Sequence, residues 1–365
     1  MKKILLPLVL LAITGLTPLF ALDVTFTPPR FGGSFPGVNE INRLIETVFA
    51  QYEREINSDL QDITINPAKL GNAFATASIF SSTGATQRGY GAYDKFAVTL
   101  GAMGGIMNPE NLISFAREMN NTSLDNLEEL DNMDMGFNPQ VLSAQLGFNA
   151  SFLVKRLYLG LKLGYFRFDN GSIAFTTPSI GMTANYQLIP EIKLPLGILV
   201  WRGINLGTGL IYQHTDMSFR YPLDSRREPL NVLGYTVATM NIDSKLTLGF
   251  EKNTFTVPLE AVTSLRLLGI NLSLGLGADL GFGSADLKIT GDVAVTFEDL
   301  PDILTPTQNA GLSASTGGTN SPDLFNPKLM AGLGFSFGPV ILDIPFTYYF
   351  LSNGYNLGIT LGFIL

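Results

Sequence analysis

The sequence predicts an all-β protein: a transmembrane, antiparallel, up-and-down β-barrel of about 12 strands, or about 14, preceded by an N-terminal amphipathic helix. The stretch from Tyr355 to Leu365 alternates between large apolar and mostly small or polar residues, which is the period of a strand. Only 15% of the residues are charged, against roughly 25% in soluble domains. After the N-terminus no apolar run approaches the ~18 residues of a membrane-spanning helix. The apolar residues are therefore dispersed by alternation, as in a barrel that faces lipid.

Residues 1–21 are predicted to be a signal peptide. Two lysines supply the positive charge, an apolar region follows, and Ala21 is the last residue before cleavage. The alternative is an uncleaved anchor, which the two prolines of the apolar region disfavour. The chain has no cysteine, which excludes lipid attachment at this site, disulfides and thiolate chemistry. We therefore expect the mature chain in the outer membrane of a diderm bacterium.

The second predicted unit, residues 22–93, contains a linker and a helical segment. A helix starts at Asn39 and stops at Asn66-Pro67, with apolar residues at spacings of three and four. We expect this helix to plug the barrel lumen; the alternative is a helix in the periplasm or on the membrane surface. The plug-helix candidates are Ile41, Leu44, Ile45, Val48, Phe49 and Tyr52. Residues 66–93 are small and ambiguous, and leave room for two more strands.

Residues 94–365 form the predicted barrel, with strands near 94–107, 140–152, 157–167, 180–200, 204–214, 238–250, 254–267, 270–283, 287–297, 328–337, 340–350 and 355–365. Charged residues in these strands fall mostly on the face opposite the apolar row. A charge on the lipid face near the bilayer centre costs about 2–4 kcal/mol, so these charges are predicted to line the lumen. There they either steer a polar solute or pair across the lumen. The candidates are Lys162, Lys245, Glu260, Arg266, Asp279, Lys328 and Asp343.

The connections between predicted strands separate by length. Those near 108–139, 168–179, 215–237 and 298–327 are long and fall on the outer side if the last strand ends in the periplasm. The connections on the other side, near 153–156, 201–203, 251–253, 284–286 and 338–339, are all short, which is typical of outer-membrane barrels. Two outer turns, near 268–269 and 352–353, are short as well. The alternative fold is a large soluble all-β protein, such as a sandwich, whose strands also alternate. The Gly- and Ser-rich polar face favours the barrel.

The C-terminal residues Asn356 to Phe363 resemble the signal by which the barrel-assembly machinery recognises outer-membrane barrels, although Ile364 and Leu365 extend beyond the aromatic residue. Asn66-Pro67-Ala68, between the helix and the strands, is similar to a motif in the N-terminal plug of the long-chain fatty-acid transporters. The layout also resembles uncharacterised outer-membrane proteins with an N-terminal helix. These resemblances imply outer-membrane lipid and the assembly machinery as partners, and a small hydrophobic solute as a further one.

The leading functional hypothesis is an outer-membrane channel or passive transporter, gated by the N-terminal segment, with hydrophobic small molecules as one class of solute. The second is a structural or adhesive barrel without transport. The third is a hydrolase at the rim, using His214 near Asp216 and Ser218, but an ordinary loop histidine is the simpler interpretation. We expect no enzyme activity, no metal and no cofactor, because a single histidine without cysteine supplies too few ligands. The acidic net charge of -8 offers no basic face for nucleic acid.

Overall fold

The computed structural model describes residues 20–21, 24–33, 37–61, 64–65, 67–82, 95–111, 113, 134–193, 198–223, 225–232, 235–299, 305–314 and 317–365. Residues 1–19 and 83–94 lie outside this set, so the signal peptide stays a prediction. Within the described residues, no helix is long and apolar enough to cross a membrane.

Two helices and ten long strands make up most of the described chain. The helices are α1, Val38–Gln61, and α2, Pro67–Ser82. The ten strands are β1 Phe96–Met107, β2 Gly136–Asn149, β3 Leu157–Asp169, β4 Ile173–Ile189, β5 Leu199–Pro222, β6 Tyr235–Leu267, β7 Ile270–Glu298, β8 Phe325–Phe337, β9 Val340–Tyr349 and β10 Gly354–Ile364. Shorter strands are Phe20–Ala21, Val24–Thr27, Arg30–Gly32, Thr64–Ile65, Ile192–Lys193, Arg226–Val232, Thr305–Gln308, Gly311–Ala314 and Gly317–Asn320.

The ten strands close into a ring. Each strand pairs antiparallel with its neighbours in sequence, and β10 pairs with β1 from Gly354↔Met107 to Ile364↔Ala97. Closure leaves no strand edge within the membrane, where an unpaired backbone group would cost several kcal/mol. The predicted up-and-down antiparallel barrel with an N-terminal helix is therefore confirmed. The ring has ten strands rather than about 12.

The difference in strand number comes from β6 and β7. The predicted strands 238–250 and 254–267 are both parts of β6, and 270–283 and 287–297 are both parts of β7. The two long strands pair without a register shift from Thr239↔Glu298 to Leu267↔Ile270. Their apolar residues nevertheless change face near position 252: Phe255 and Leu259 point outward, whereas Phe250 and Leu246 are buried inside. In the sequence, this change from odd-numbered to even-numbered apolar positions looks the same as a turn between two separate strands.

The outward face of the ring is a belt of exposed apolar side chains. On β7, Leu272, Leu274 and Leu276 are 54%, 61% and 61% exposed, whereas Ser273 between them is 6% exposed and points inward. A tilted spanning strand needs roughly 9–11 residues, but β6 has 33 and β7 has 29. Both strands therefore continue well beyond the belt, which ends near the outward-facing Asn253.

Beyond the belt, β5, β6, β7 and Arg226–Val232 form a sheet extension with the polarity of a soluble protein. Its outer face carries ion pairs such as Lys245–Asp292 at 3.4 Å and Lys288–Glu251 at 3.3 Å. Its inner face is covered by α1, whose buried row consists of Ile41, Ile45, Phe49, Tyr52 and Ile56. The Tyr52 hydroxyl lies 2.6 Å from Ser244 Oγ on β6. We call this unit the cap: residues 24–33 and 37–61 with the extended parts of β5–β7, Arg226–Val232 and 305–314.

Short strands in the predicted N-terminal linker complete the cap. Val24–Thr27 pairs with Gly311–Ala314, and Arg30–Gly32 pairs with Thr305–Gln308. On the helix side, the Asn57 side-chain amide donates to the Val24 carbonyl and accepts from its amide, both at 2.9 Å. Asn42 makes the same pair of bonds to Phe31. These two asparagines satisfy backbone groups that no strand reaches, which fixes the linker against α1.

The cap and the longer connections share one end of the barrel. The strands that flank connections 108–135, 223–234 and 299–324 end and begin at this end, which we call the outer end, and the short turns 170–172 and 350–353 lie there too. The predicted long connection 168–179 is thus wrong. The opposite, inner end has 150–156, 190–198, 268–269 and 338–339, and here Lys95 N donates to Leu365 O at 2.8 Å. Long connections on the extracellular side are the rule for outer-membrane barrels.

Candidate functional site

Helix α2 lies inside the ring, where it packs against β1, β2, β6 and β7. Every side chain from Ala73 to Ser82 is buried. The segment reads Ala-Phe-Ala-Thr-Ala-Ser-Ile-Phe-Ser-Ser, so small residues surround two phenylalanines on all faces. A helix with larger side chains is about 10–12 Å wide, and small residues narrow it enough to fit within ten strands. The sequence predicts that α1 plugs the lumen, but the helix found inside the ring is α2. It lies in the stretch 66–93, whose sequence pattern is ambiguous.

The plug-helix candidates of α1 must be corrected accordingly. Ile41, Ile45, Phe49 and Tyr52 are buried, and Leu44 and Val48 pack against them, but their partners are cap residues such as Met240 and Ile242. The amphipathic pattern predicts a helix with one buried face, and α1 is such a helix. It could not distinguish the inner face of a sheet outside the membrane from the wall of a lumen.

Glycines in the wall make room for α2. A Cβ at Gly136 would overlap the Ala73 carbonyl oxygen, and one at Gly105 would lie 2.5 Å from the Ala77 carbonyl oxygen. Both contacts are with helix backbone, so no side-chain rotation relieves them. The wall is thus shaped to the helix at the level of single atoms.

Replacing Gly105 with alanine is expected to push α2 away from β1 and to destabilise the folded barrel by about 1–3 kcal/mol, the usual cost of overpacking. Urea unfolding in detergent measures the loss. Gly104→Ala is the matched control, because a Cβ there meets nothing within 4 Å. Equal stability of the two variants would show that α2 does not pack on β1 as described.

Polar side chains of the wall bind the C-terminal turn of α2. Lys162 Nζ donates to the Ser82 carbonyl, and Asn356 Nδ2 donates to the Phe80 carbonyl. Ser82 Oγ donates to Thr256 Oγ1 at 2.8 Å. The last carbonyls of a helix lack partners within it and carry the negative end of its dipole. The buried ammonium of Lys162 therefore caps a helix that has no basic residue in its own last turn.

Aromatic rings surround the outer half of α2. The Phe74 ring centroid lies 4.4 Å from that of Phe250, 5.8 Å from that of Phe137 and 6.4 Å from that of Phe219. The buried Lys252 reaches into this cluster, with Nζ 3.4 Å from the Phe74 carbonyl oxygen and 3.1 Å from Asn138 Oδ1. Its ammonium also lies 5.5 Å from the Phe74 ring centroid, within range of a cation–π contact.

At the outer mouth, Asp323 holds the start of α2. Its carboxylate accepts from Asn72 Nδ2 at 3.1 Å and from Ser352 Oγ at 3.3 Å, and its backbone amide donates to Thr76 Oγ1 at 3.0 Å. Asp134 lies close by, and burial, together with the charge of Asp323, raises its pKa above the ordinary value. The first turns of α2 are thus attached to the connection before β8.

Beside the C-terminal part of α2, a buried charge network links β6, β7 and β8 on the inner face of the ring. Lys328 Nζ lies 2.6 Å from both Asp279 Oδ1 and Glu260 Oε1, and Lys328 and Asp279 are 0% exposed. The Tyr349 hydroxyl donates to Asp279 Oδ2 at 2.8 Å. The Tyr349 ring stacks on Phe80 of α2, with centroids 3.8 Å apart. Helix α2 therefore packs against the Tyr349 ring, and the hydrogen bond to Asp279 fixes the position of that ring.

The structure places the predicted lumen residues as follows. Four of them are buried on the inner face: Lys162, Asp279, Lys328 and Asp343. Glu260 reaches the same face, where its carboxylate pairs with Lys328. Arg266 shares the inward parity and sits near the inner end, opposite Asn271. Lys245 is a correction: it faces outward, is half exposed and pairs with Asp292. It lies beyond the belt, where the apolar row faces the cap core and charges face water.

His214 lies on the outward face of β5, above the belt, and its side chain is 26% exposed. Its ring nitrogens lie 2.9 Å from Asn253 Oδ1 and 3.0 Å from Asp216 Oδ2. In this position the imidazole faces away from the lumen and from α2. The outward apolar belt begins at Tyr212 on the same strand, and the Tyr212 hydroxyl donates a hydrogen bond to Asn253 Oδ1.

A closed ring with an apolar belt, and with a helix of its own N-terminal segment in the lumen, defines an outer-membrane β-barrel that is plugged in cis. The chain belongs to the Lsa36-like family, whose model matches residues 25–364. No curated protein matches the chain at significant sequence similarity.

Solved structures similar to the chain are also outer-membrane barrels, at low identity. The translocator domain of the autotransporter NalP from Neisseria meningitidis is 10% identical, with a TM-score of 0.28, over 75% of this chain and 90% of that one. The CymD monoaromatic hydrocarbon channel is 12% identical, with a TM-score of 0.23, over 82% and 97%. LpxR from Salmonella typhimurium is 9% identical, with a TM-score of 0.24, over 74% and 100%. A similarity to fatty-acid transporters is not shown.

Proposed function

We propose that this protein is a closed outer-membrane barrel that anchors the cap on the outer surface. The observation that carries the proposal is the fit between α2 and the wall. Gly105 and Gly136 leave no space for a Cβ beneath the helix backbone, and Lys162 caps the helix from the wall. A wall shaped in this way supports a helix that stays in the lumen. The protein then serves as a structural barrel with a displayed, folded surface that is available for adhesion.

A gated channel or passive transporter is the second candidate. It is favoured by the polar attachment of the plug, since hydrogen bonds such as Ser82–Thr256 can be exchanged for bonds to water. Release of α2 would open a path lined by the polar inner face. A hydrophobic small molecule is one class of solute for this path, and the N-terminal segment is its gate.

Conductance across planar bilayers separates the two candidates. The chain has no cysteine, so Ser82→Cys with Thr256→Cys introduces one pair, at a site where the two side-chain oxygens lie 2.8 Å apart. A closed barrel predicts no stable conductance from the wild type or from the double variant, whether oxidised or reduced. Conductance that appears in the wild type and disappears only when the pair is oxidised would instead establish the gated channel. Ser82→Cys alone controls for the substitution.

The apolar belt contacts outer-membrane lipid, and β10 carries the segment that the assembly machinery recognises. The mature chain reaches the outer membrane of a diderm bacterium after removal of the signal peptide. We propose no catalytic step for His214, whose ring nitrogens contact Asn253 Oδ1 and Asp216 Oδ2.

A further inference from the structure

The path of the chain through the membrane is unusual for a barrel with ten sequential hairpin-linked strands. Residues 24–33 and 37–61 lie in the cap, at the outer end, and pack on Met240 and Ile242. Helix α2 then enters the lumen at Asn72, beside Asp323, and its last residue, Ser82, contacts Lys162 and Thr256 on the inner face of the ring. Strand β1 begins at the inner end, next to Leu365. The described residues before β1 thus lie first in the cap, then inside the ring and last, at Lys95, at the inner end.

Other outer-end parts of the chain are carried across the membrane between two strands of the ring. The connection 350–353, for example, joins β9 to β10 and crosses with that hairpin. The cap residues before α2 have no such pair of flanking strands. Their covalent link to the rest of the chain passes through the lumen alone, whereas an outer-membrane chain is delivered from the periplasm.

The cap residues before α2 depend on the outer side for their folded state. The buried row of α1 packs on the extended parts of β6 and β7, for example through Tyr52 and Ser244, which lie 2.6 Å apart. Without these partners the apolar row of α1 is uncovered, and most of the stability of an amphipathic helix comes from the packing of that face. The segment is therefore unfolded and narrow before it crosses and gains its core only afterwards, so that folding on the far side makes the crossing irreversible.

We propose that the barrel exports its own N-terminal segment: residues 24–61 cross the membrane through the barrel interior, and α2 remains behind as the stopper. This inference rests on the proposed function, since it takes the cap end as the outer surface. It adds an activity to that function, namely translocation of a segment of the same chain. The driving force is the burial of Ile45, Phe49 and the rest of the α1 row in the cap.

Surface labelling of intact cells tests this inference. One peptide tag is inserted immediately before Val24, a second after Ser225 in an outer connection, and a third in the inner turn at Gly338, each in a separate full-length chain. A compact domain closed by one disulfide is then added upstream of the first tag. Its Cys→Ser form, which cannot close, is the control. The native chain contributes no competing thiol.

The expected result is that the Val24 and Ser225 tags are labelled and the Gly338 tag is not. The disulfide-closed domain is expected to reduce labelling of the Val24 tag at least tenfold while the Cys→Ser form restores it. Full labelling of the Val24 tag in spite of the closed domain would overturn the route through the barrel. A hidden Val24 tag beside an exposed Ser225 tag in the chain without the added domain would overturn export itself. A hidden Ser225 tag would instead refute the orientation in the proposed function, and this inference with it.

Discussion

Lys328→Met will destabilise the folded barrel by roughly 3–5 kcal/mol, the cost of leaving a buried charge without its partner. Lys328 is 0% exposed and lies 2.6 Å from both Asp279 and Glu260. Removal of the ammonium leaves two carboxylates close together, one of them fully buried. Urea unfolding of the detergent-solubilised protein, followed by the mobility shift of the folded barrel, measures the change.

The matched control is Lys288→Met. Lys288 also pairs with a carboxylate, that of Glu251 at 3.3 Å, but their side chains are 66% and 44% exposed. An exposed pair contributes about 0–1 kcal/mol, so this variant should unfold almost like the wild type. Adding Asp279→Asn to Lys328→Met should recover part of the loss, because one orphaned charge is removed. A loss below about 1 kcal/mol for Lys328→Met alone would mean that water reaches the network and screens it.

The alternation of apolar and polar residues predicts most of the barrel, because every strand in the membrane must face lipid with apolar side chains. Within the belt, large apolar residues such as Leu274 must face outward, so the position of Lys328 on the opposite face was readable from sequence alone. The rule fails where a strand leaves the membrane. On β6 the buried row becomes apolar above Lys252 and the exposed row becomes polar, which moved Lys245 from the predicted lumen to the outer surface.

The plug could not be found by periodicity, because α2 has no solvent-facing side. A helix surrounded by wall needs small residues in every direction, and the segment from Ala73 to Ser82 therefore shows no apolar stripe. Two signals were nevertheless present. Pro67 occupies the first helical position, which proline favours, and the next fifteen residues include one glycine and no further proline. Lys252 was missed for a related reason, since the parity switch beside it was interpreted as a turn.

We expect the cap to unfold while the barrel stays folded when the cap core is disrupted. Phe49 is 1% exposed and lies among Phe26, Tyr52 and the inner face of the sheet extension. Phe49→Asp removes this ring, which costs about 3–5 kcal/mol in a core, and places a carboxylate where no water compensates it. The ring of ten strands keeps all its backbone pairs, so we expect the barrel to remain folded while α1 detaches.

Limited proteolysis of the assembled protein measures this detachment. A loss of 3–5 kcal/mol raises the population of the open cap, and hence the cleavage rate within residues 37–61, by roughly 100- to 1,000-fold or more. Ala50→Asp adds the same charge one residue further on, at an exposed position of α1, and should change the rate by less than about tenfold. If Phe49→Asp instead unfolded the barrel and the cap together, the two would form one cooperative unit. The attachment of α2 to the wall would then depend on the cap, because α1 precedes it directly in the chain.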